Sequence, residues 1–75
     1  MTASSDHQQQ RFDALLRPHL DALYRTAYRF TGSAADAEDL VQDVMVKLYP
    51  KTQELREVED LQPWLNRVLY RRFVD

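Results

Sequence analysis

Asp36–Tyr49, DAEDLVQDVMVKLY, decides the fold. Ala37, Leu40, Val41, Val44, Met45 and Leu48 recur at steps of three and four, the spacing of one buried face on an α-helix. Asp36, Asp39, Gln42 and Asp43 fall on the other face. One helix thus carries a packing stripe and, beside it, an acidic stripe that no core needs. Plain solvation accounts for many such faces. The helix macrodipole also favours negative charge in the first turns, which explains part of Asp36, Glu38 and Asp39. Asp43 stands too far along for that effect, and the sequence shows no local stabilising role for it.

The flanks of this run set its ends. Gly32 suits a left-handed cap that closes a preceding helix. Ser33 is the N-cap candidate, and Asp36 stands three residues later at capping-box spacing, where Glu or Gln would serve better. Pro50 ends the helix, because the residue before a proline is pushed out of the α region. Upstream, Phe12, Leu15, Leu16, Leu20, Leu23, Tyr24, Ala27 and Phe30 keep the helical period, which predicts a first helix over Gln9–Thr31. Pro18 interrupts it and should kink or split it near Arg17. Residues 1–8 are polar and read as a flexible tail.

Downstream, Lys51–Asp60, KTQELREVED, is charged and without strong periodicity, so it reads as a connecting loop with at most one helical turn. Asp60 is placed to cap a third helix. Pro63 is tolerated in its first turn, where backbone donors have no intrahelical acceptor. Leu61, Trp64, Leu65, Val68 and Leu69 form its apolar face. The expected architecture is all-α: a compact three-helix bundle over residues 9–75. Leu23, Leu40, Val44, Leu48, Trp64, Leu65 and Val68 form its shared core. The third helix reaches Asp75 in mid-pattern with no C-cap signal, so the domain is expected to be truncated at its C-terminal end.

Composition narrows the function. Seventy-five residues allow one small domain. One Gly and three Pro leave little turn chemistry for a β fold, and the absence of Cys excludes disulfides and thiolate metal sites. No apolar run approaches the roughly 20 residues of a membrane span, and the polar start has no signal-peptide core. A cytoplasmic location without membrane insertion is expected. His7 and His19 have no metal-ligand spacing, and no phosphate loop or nucleophile elbow occurs. Neither an enzyme nor a cofactor is expected.

The net charge of −2 is unevenly spread. Met1–Gly32 carries +1, Ser33–Tyr49 carries −3, Pro50–Asp60 carries −2 and Leu61–Asp75 carries +2. An acidic middle and a basic end suit two partners of opposite sign. Arg67, Arg71 and Arg72 share a helix with Trp64, Tyr70 and Phe73. Cations on the backbone and rings under the bases are the usual means of holding a single strand. Solubilising arginines around a core Trp64 would give the same pattern.

The stretch Leu23–Tyr49, LYRTAYRFTGSAADAEDLVQDVMVKLY, resembles region 2 of bacterial RNA polymerase sigma factors, in the extracytoplasmic-function (ECF) branch. The similarity lies in a helix ending at a short Gly turn, an acidic start and a D-L-V-Q-D core. Trp64–Asp75, WLNRVLYRRFVD, resembles the W-L-x-R helix that follows, at the right spacing. The resemblance implies a sigma region 2-like transcription initiation factor domain whose partners are RNA polymerase core and promoter DNA. Asp36, Asp39, Gln42 and Asp43 match the surface that docks on the coiled coil of the β′ subunit. Lys51 and Arg56 of the loop, with Asn66, Arg67, Arg71 and Arg72, match the part that captures the non-template strand of the opened −10 element. An anti-sigma factor is a further partner common in the family.

Three departures stand out. Arg71 occupies a place where the family often has Asn, Leu61 stands near its usual aromatic, and the acidic loop should weaken phosphate attraction. The competing reading is a helical protein-interaction module without a DNA role, its acidic face bound to a basic partner.

Overall fold

The computed structural model describes the backbone of residues 2–75 and the side chains from His7 onward. The helices are α1 (Thr2–Leu16), α2 (Leu20–Thr31), α3 (Ala34–Leu48), α4 (Thr52–Arg56) and α5 (Leu61–Val74), with 3-10 turns at Arg17–His19 and Tyr49–Lys51. The all-α bundle is the one expected. Its first helix is divided at Pro18, and a single added turn, α4, lies between its second and third long helices. Both 3-10 turns contain a proline, Pro18 and Pro50, near their starts. At each, the missing backbone donor breaks the α ladder and the chain tightens rather than stopping.

α2, α3 and α5 pack on one another, and α1 runs out along α4, which draws the molecule to extents of 40 × 25 × 22 Å. The centre is filled by Leu16, Leu23, Val41, Val44, Leu65 and Leu69, all essentially without solvent contact. Of the expected core, Leu23, Val44, Leu48 and Leu65 are buried, whereas Leu40, Trp64 and Val68 are only partly buried against its rim. Phe12, Leu16, Val41, Leu61 and Leu69, assigned to apolar helix faces, belong to the centre as well.

Gly32 closes α2 in the left-handed region at φ 72°, its N–H bonded to the Tyr28 carbonyl. Ser33 caps α3 as expected, its hydroxyl accepting from the Asp36 N–H at 3.3 Å. The return bond of a capping box is not made by Asp36. The Ser33 N–H goes instead to the Thr31 hydroxyl at 3.3 Å, and that hydroxyl donates to the Ser33 carbonyl at 3.0 Å. An Asp side chain is one methylene shorter than Glu, and Thr31 is already in place. Asp60 holds the N-cap position of α5 without a side-chain cap bond.

Two boundaries differ from the sequence reading. The first helix begins at Thr2 rather than Gln9. Gln8 donates from Nε2 to the Tyr49 carbonyl at 3.2 Å, tying this helix to the turn beyond α3. The side chains of residues 1–6 lie outside the described residues, and with them most of the expected tail. The expected loop is half helix. In α4, Thr52 and Leu55 are buried, and the Thr52 hydroxyl donates to the Tyr49 carbonyl at 2.6 Å. Phe12 meets Tyr49 edge-on at 5.4 Å between centroids, and so α1, the end of α3 and α4 extend the same core.

Candidate polymerase and nucleic-acid faces

α3 buries Ala37, Val41, Val44 and Leu48, a spacing that turns Asp39 and Gln42 directly away from the core. Asp36, Asp39, Gln42 and Asp43 are all exposed. Among the described residues, Asp39 and Gln42 have no side-chain hydrogen bond or ion pair. Val46 continues the same face and is 73% exposed. It follows Gln42 by four residues and Asp43 by three, so it is their neighbour on the helix surface. The sequence reading missed it. The available signal was an apolar residue lying off the packing stripe.

Asp43 does have a local role. Arg72 of α5 reaches across to it, with Nη2 at 2.6 Å and Nε at 3.0 Å from Oδ2. Two residues assigned to different faces are therefore partners, and the pair borders a crevice with Phe30, Asp36, Leu40 and Phe73. Arg72 is half-buried, while Arg67 and Arg71 are exposed and, among the described residues, have no carboxylate partner. Helix geometry separates them: each step of one residue turns the side chain by about 100°. Arg67 and Arg71 at spacing four share a side, and Arg72 turns back toward α3.

The rings of α5 also divide. Phe30 of α2 stacks on Phe73 at 5.4 Å and meets Tyr70 edge-on at 5.5 Å. Tyr70 and Phe73 thus pack against Phe30 of α2, yet they stay 54% and 41% exposed on the helix that carries the arginines. Trp64 rests on the edge of the core. Lys51 and Arg56 are exposed. Their segment packs on α1, and among the described residues no hydrogen bond or ion pair joins them to Arg67 or Arg71.

Asn66 lies on the flank of α5 that faces α2. Its Oδ1 accepts from Gln62 Nε2 at 3.0 Å, and Gln62 Oε1 is 2.7 Å from His19 Nδ1. His19, which the sequence placed in no metal-ligand pattern, thus ends a small polar chain between the turn before α2 and α5. Beside it is an open groove of about 630 Å³ lined in part by Arg25, Tyr28, Arg29, Gln62 and Asn66. The sequence reading passed over Arg25, Tyr28 and Arg29. Their signal was an arginine pair at spacing four with a tyrosine between, on the helix that precedes the Gly turn.

No group of metal-ligating side chains occurs among the described residues, and no described helix is long and apolar enough to cross a membrane.

The domain is all-helical, with an acidic face on α3 and exposed arginines on α5. The sigma-70 region 2 family matches residues 15–75, and the chain belongs to that family. It is 38% identical over 69 residues to the ECF RNA polymerase sigma factor SigE of Mycolicibacterium smegmatis, covering 85% of this chain and 24% of that protein. It is 33% identical over 64 residues to the ECF RNA polymerase sigma factor SigG of Mycobacterium tuberculosis, covering 85% of this chain and 17% of that protein. The chain therefore spans a quarter or less of the length of these relatives. No solved structure matches it significantly.

Proposed function

We propose that this domain acts in transcription initiation, joining RNA polymerase core to promoter DNA in the manner of an ECF sigma factor. The observation that carries the reading is the outer face of α3. Asp39 and Gln42 are exposed and unpartnered among the described residues, and beside them Val46 is bare to solvent. Charged and amide groups around one apolar residue suit a helical partner with basic side chains, the character expected of the β′ coiled coil. Apolar contact would supply affinity at the centre of such a patch and charge would supply orientation.

The non-template strand of the −10 element is the second partner. Arg67 and Arg71 support this, since each is exposed and, among the described residues, without a carboxylate to neutralise it. Lys51, Arg56 and Asn66 extend the surface a strand would cross, and Arg72 adds to it only when it leaves Asp43. An unpaired cationic arc on a helix other than the acidic one weighs against a module with a single basic partner. An anti-sigma factor would occupy one or both of these faces, and the place of action is that of the polymerase, the cytoplasm.

The test is a pull-down of polymerase core by the chain carrying Asp39→Arg and Gln42→Ala. Both side chains point to solvent, so helicity should be kept while core capture falls at least tenfold, about 1.4 kcal/mol. Unchanged capture at unchanged helicity would remove this face from the interface.

A further inference from the structure

The polar chain that joins the turn before α2 to α5 can be bonded in two directions. His19 Nδ1 lies 2.7 Å from Gln62 Oε1, and Gln62 Nε2 lies 3.0 Å from Asn66 Oδ1. In this direction His19 donates to Gln62, Gln62 donates to Asn66, and the Asn66 amide hydrogens are left for the groove that both amides line. Amide oxygen and nitrogen are nearly equal in size, and a neutral imidazole carries its hydrogen on either nitrogen. Turning both amides over therefore keeps the heavy-atom positions and reverses the chain. Asn66 then donates to Gln62, Gln62 donates to His19 Nδ1, and the Asn66 oxygen is left for the groove. A protonated His19 has a hydrogen on both ring nitrogens and no acceptor, so it permits only the first direction. Nothing nearby fixes its charge in advance, since no carboxylate is within ion-pair distance of it among the described residues. In sequence, Arg17 and Asp21 stand two residues to either side, a spacing that does not face. Asp13 of α1 accepts from Gln9. Arg25 of α2 lies at the groove, and on α5 Asp60 and Arg67 fall off the row of Gln62 and Asn66.

We infer that His19 is a positioning residue whose protonation sets, through Gln62, which edge of the Asn66 amide is turned to the groove. Histidine is the side chain whose charge changes between about pH 5 and 8. Towards acid, the chain is held in its first direction and Asn66 offers donors. Towards alkaline pH, the reverse direction becomes available and Asn66 offers an acceptor in part. All three side chains are half-buried, so their bonds to one another compete well with bonds to water. The consequence for recognition rests on the proposed reading, since it needs a strand at α5. A base edge bonded by an amide distinguishes donor from acceptor, so base preference at one position of the strand shifts with pH. The added charge of a protonated His19 would by itself raise affinity for all strands alike. A change of preference, as opposed to a uniform gain, is therefore the mark of the relay.

The experiment is a pH titration of the nitrogen-15-labelled chain by nuclear magnetic resonance, reading the ring nitrogens of His19 and the side-chain amides of Gln62 and Asn66. Below the titration of His19, the Asn66 amide hydrogens should exchange quickly with water. Above it, a population with the hydrogen on Nε2 should appear, and the Asn66 amide should shift and gain protection in step. His19→Phe should abolish that step although His7 still titrates. Gln62→Glu introduces a carboxylate that accepts from both neighbours, so the Asn66 amide should stay in its protected state across the pH range. The second arm measures single-stranded −10 oligonucleotides, varied one base at a time, against the chain bound to polymerase core at both ends of the titration. The relative affinities at one position should change several-fold in the wild type and stay constant in both variants. An Asn66 amide that ignores the titration of His19, or a His19 that keeps its hydrogen on Nδ1 alone when neutral, overturns the relay and leaves the proposed function untouched. A base preference that follows pH equally in His19→Phe overturns it as well. If the amide step is seen while no strand binds with core present, the relay stands and the proposed function fails.

Discussion

α3 and α5 are alike in length and amphipathic in the same way, yet they handle their charges differently. α3 collects its acids on one arc away from the core, and only Asp43 among its described residues is tied to another helix. α5 distributes its polar residues three ways. Asn66 faces α2, Arg67 and Arg71 face solvent, and Arg72 faces α3. Neighbours in sequence, such as Arg71 and Arg72, thus have different roles. A cluster of like charges in a helical sequence is one surface only when its members share an arc, and on α5 they do not.

The buried sides of the two helices provide the largest effect. Leu65 of α5 has no solvent contact, whereas Leu40 of α3 is only partly covered. Leu65→Ala should cost about 2–5 kcal/mol, the range for a leucine truncated inside a packed core. A domain of this size has little more than that in total, because small chains bury a smaller share of their surface. Leu40→Ala should cost clearly less, since no closed cavity is left. Urea denaturation of the two variants beside the wild type measures the difference. Equal losses would show that α3 packs more deeply along its Leu40 edge than the structure has it.

Much of this was legible because helices of twelve to fifteen residues repeat their pattern several times. The period in Asp36–Leu48, the Gly32 cap, the Ser33 cap and the break at Pro18 could each be read from residue type and spacing. α4 was legible only as an optional turn within the loop, since its five residues span little more than one turn and cannot display a period. Its burial of Thr52 and Leu55 follows from tertiary contact with α1 and Tyr49. The candidate site was legible to a similar depth. Asp39 and Gln42 follow from the angle of a single helix. The Asp43–Arg72 pair spans 29 residues and the His19–Gln62 bond spans 43. Such contacts depend on how helices cross, which local pattern does not encode. The separation of Arg72 from Arg67 and Arg71 did lie within reach, because spacing of five on one helix already places it on another side.

The outward side of α5 gives an intermediate effect. Arg67→Ala with Arg71→Ala should lower the dependence of single-strand affinity on salt by about 1.4 in logarithmic slope, at about 0.7 per phosphate contact. Arg72→Ala should leave the slope nearly unchanged, because its guanidinium is held by Asp43. The measurement is a titration of a single-stranded −10 oligonucleotide in the presence of polymerase core. If Arg72→Ala lowers the slope as much as either outward arginine does, the pair opens when the strand binds, and the three arginines act as one surface after all.

The smallest effect lies where the two helices meet. Arg72 and Asp43 are 37% and 54% exposed in their side chains, so water screens their attraction. Exposed ion pairs are worth about 0.2–1 kcal/mol, and the two bonds to one carboxylate oxygen favour the upper part of that range. A double-mutant cycle with Asp43→Asn, Arg72→Gln and both together isolates the pairwise energy from what each side chain does alone. The expected coupling is below about 1 kcal/mol and shrinks as salt is added, because at 1 M the screening length falls to about 3 Å. The same variants bear on the faces themselves. Arg72→Gln frees the Asp43 carboxylate on α3, and Asp43→Asn frees the Arg72 guanidinium on α5. Each change therefore returns a charge to the helix that had lent it. A coupling that is absent at low salt would mean that the pair does not persist in solution. In that case Arg72 would be a third unpaired cation on α5, on a different arc from Arg67 and Arg71, and Asp43 would rejoin the free acids of α3.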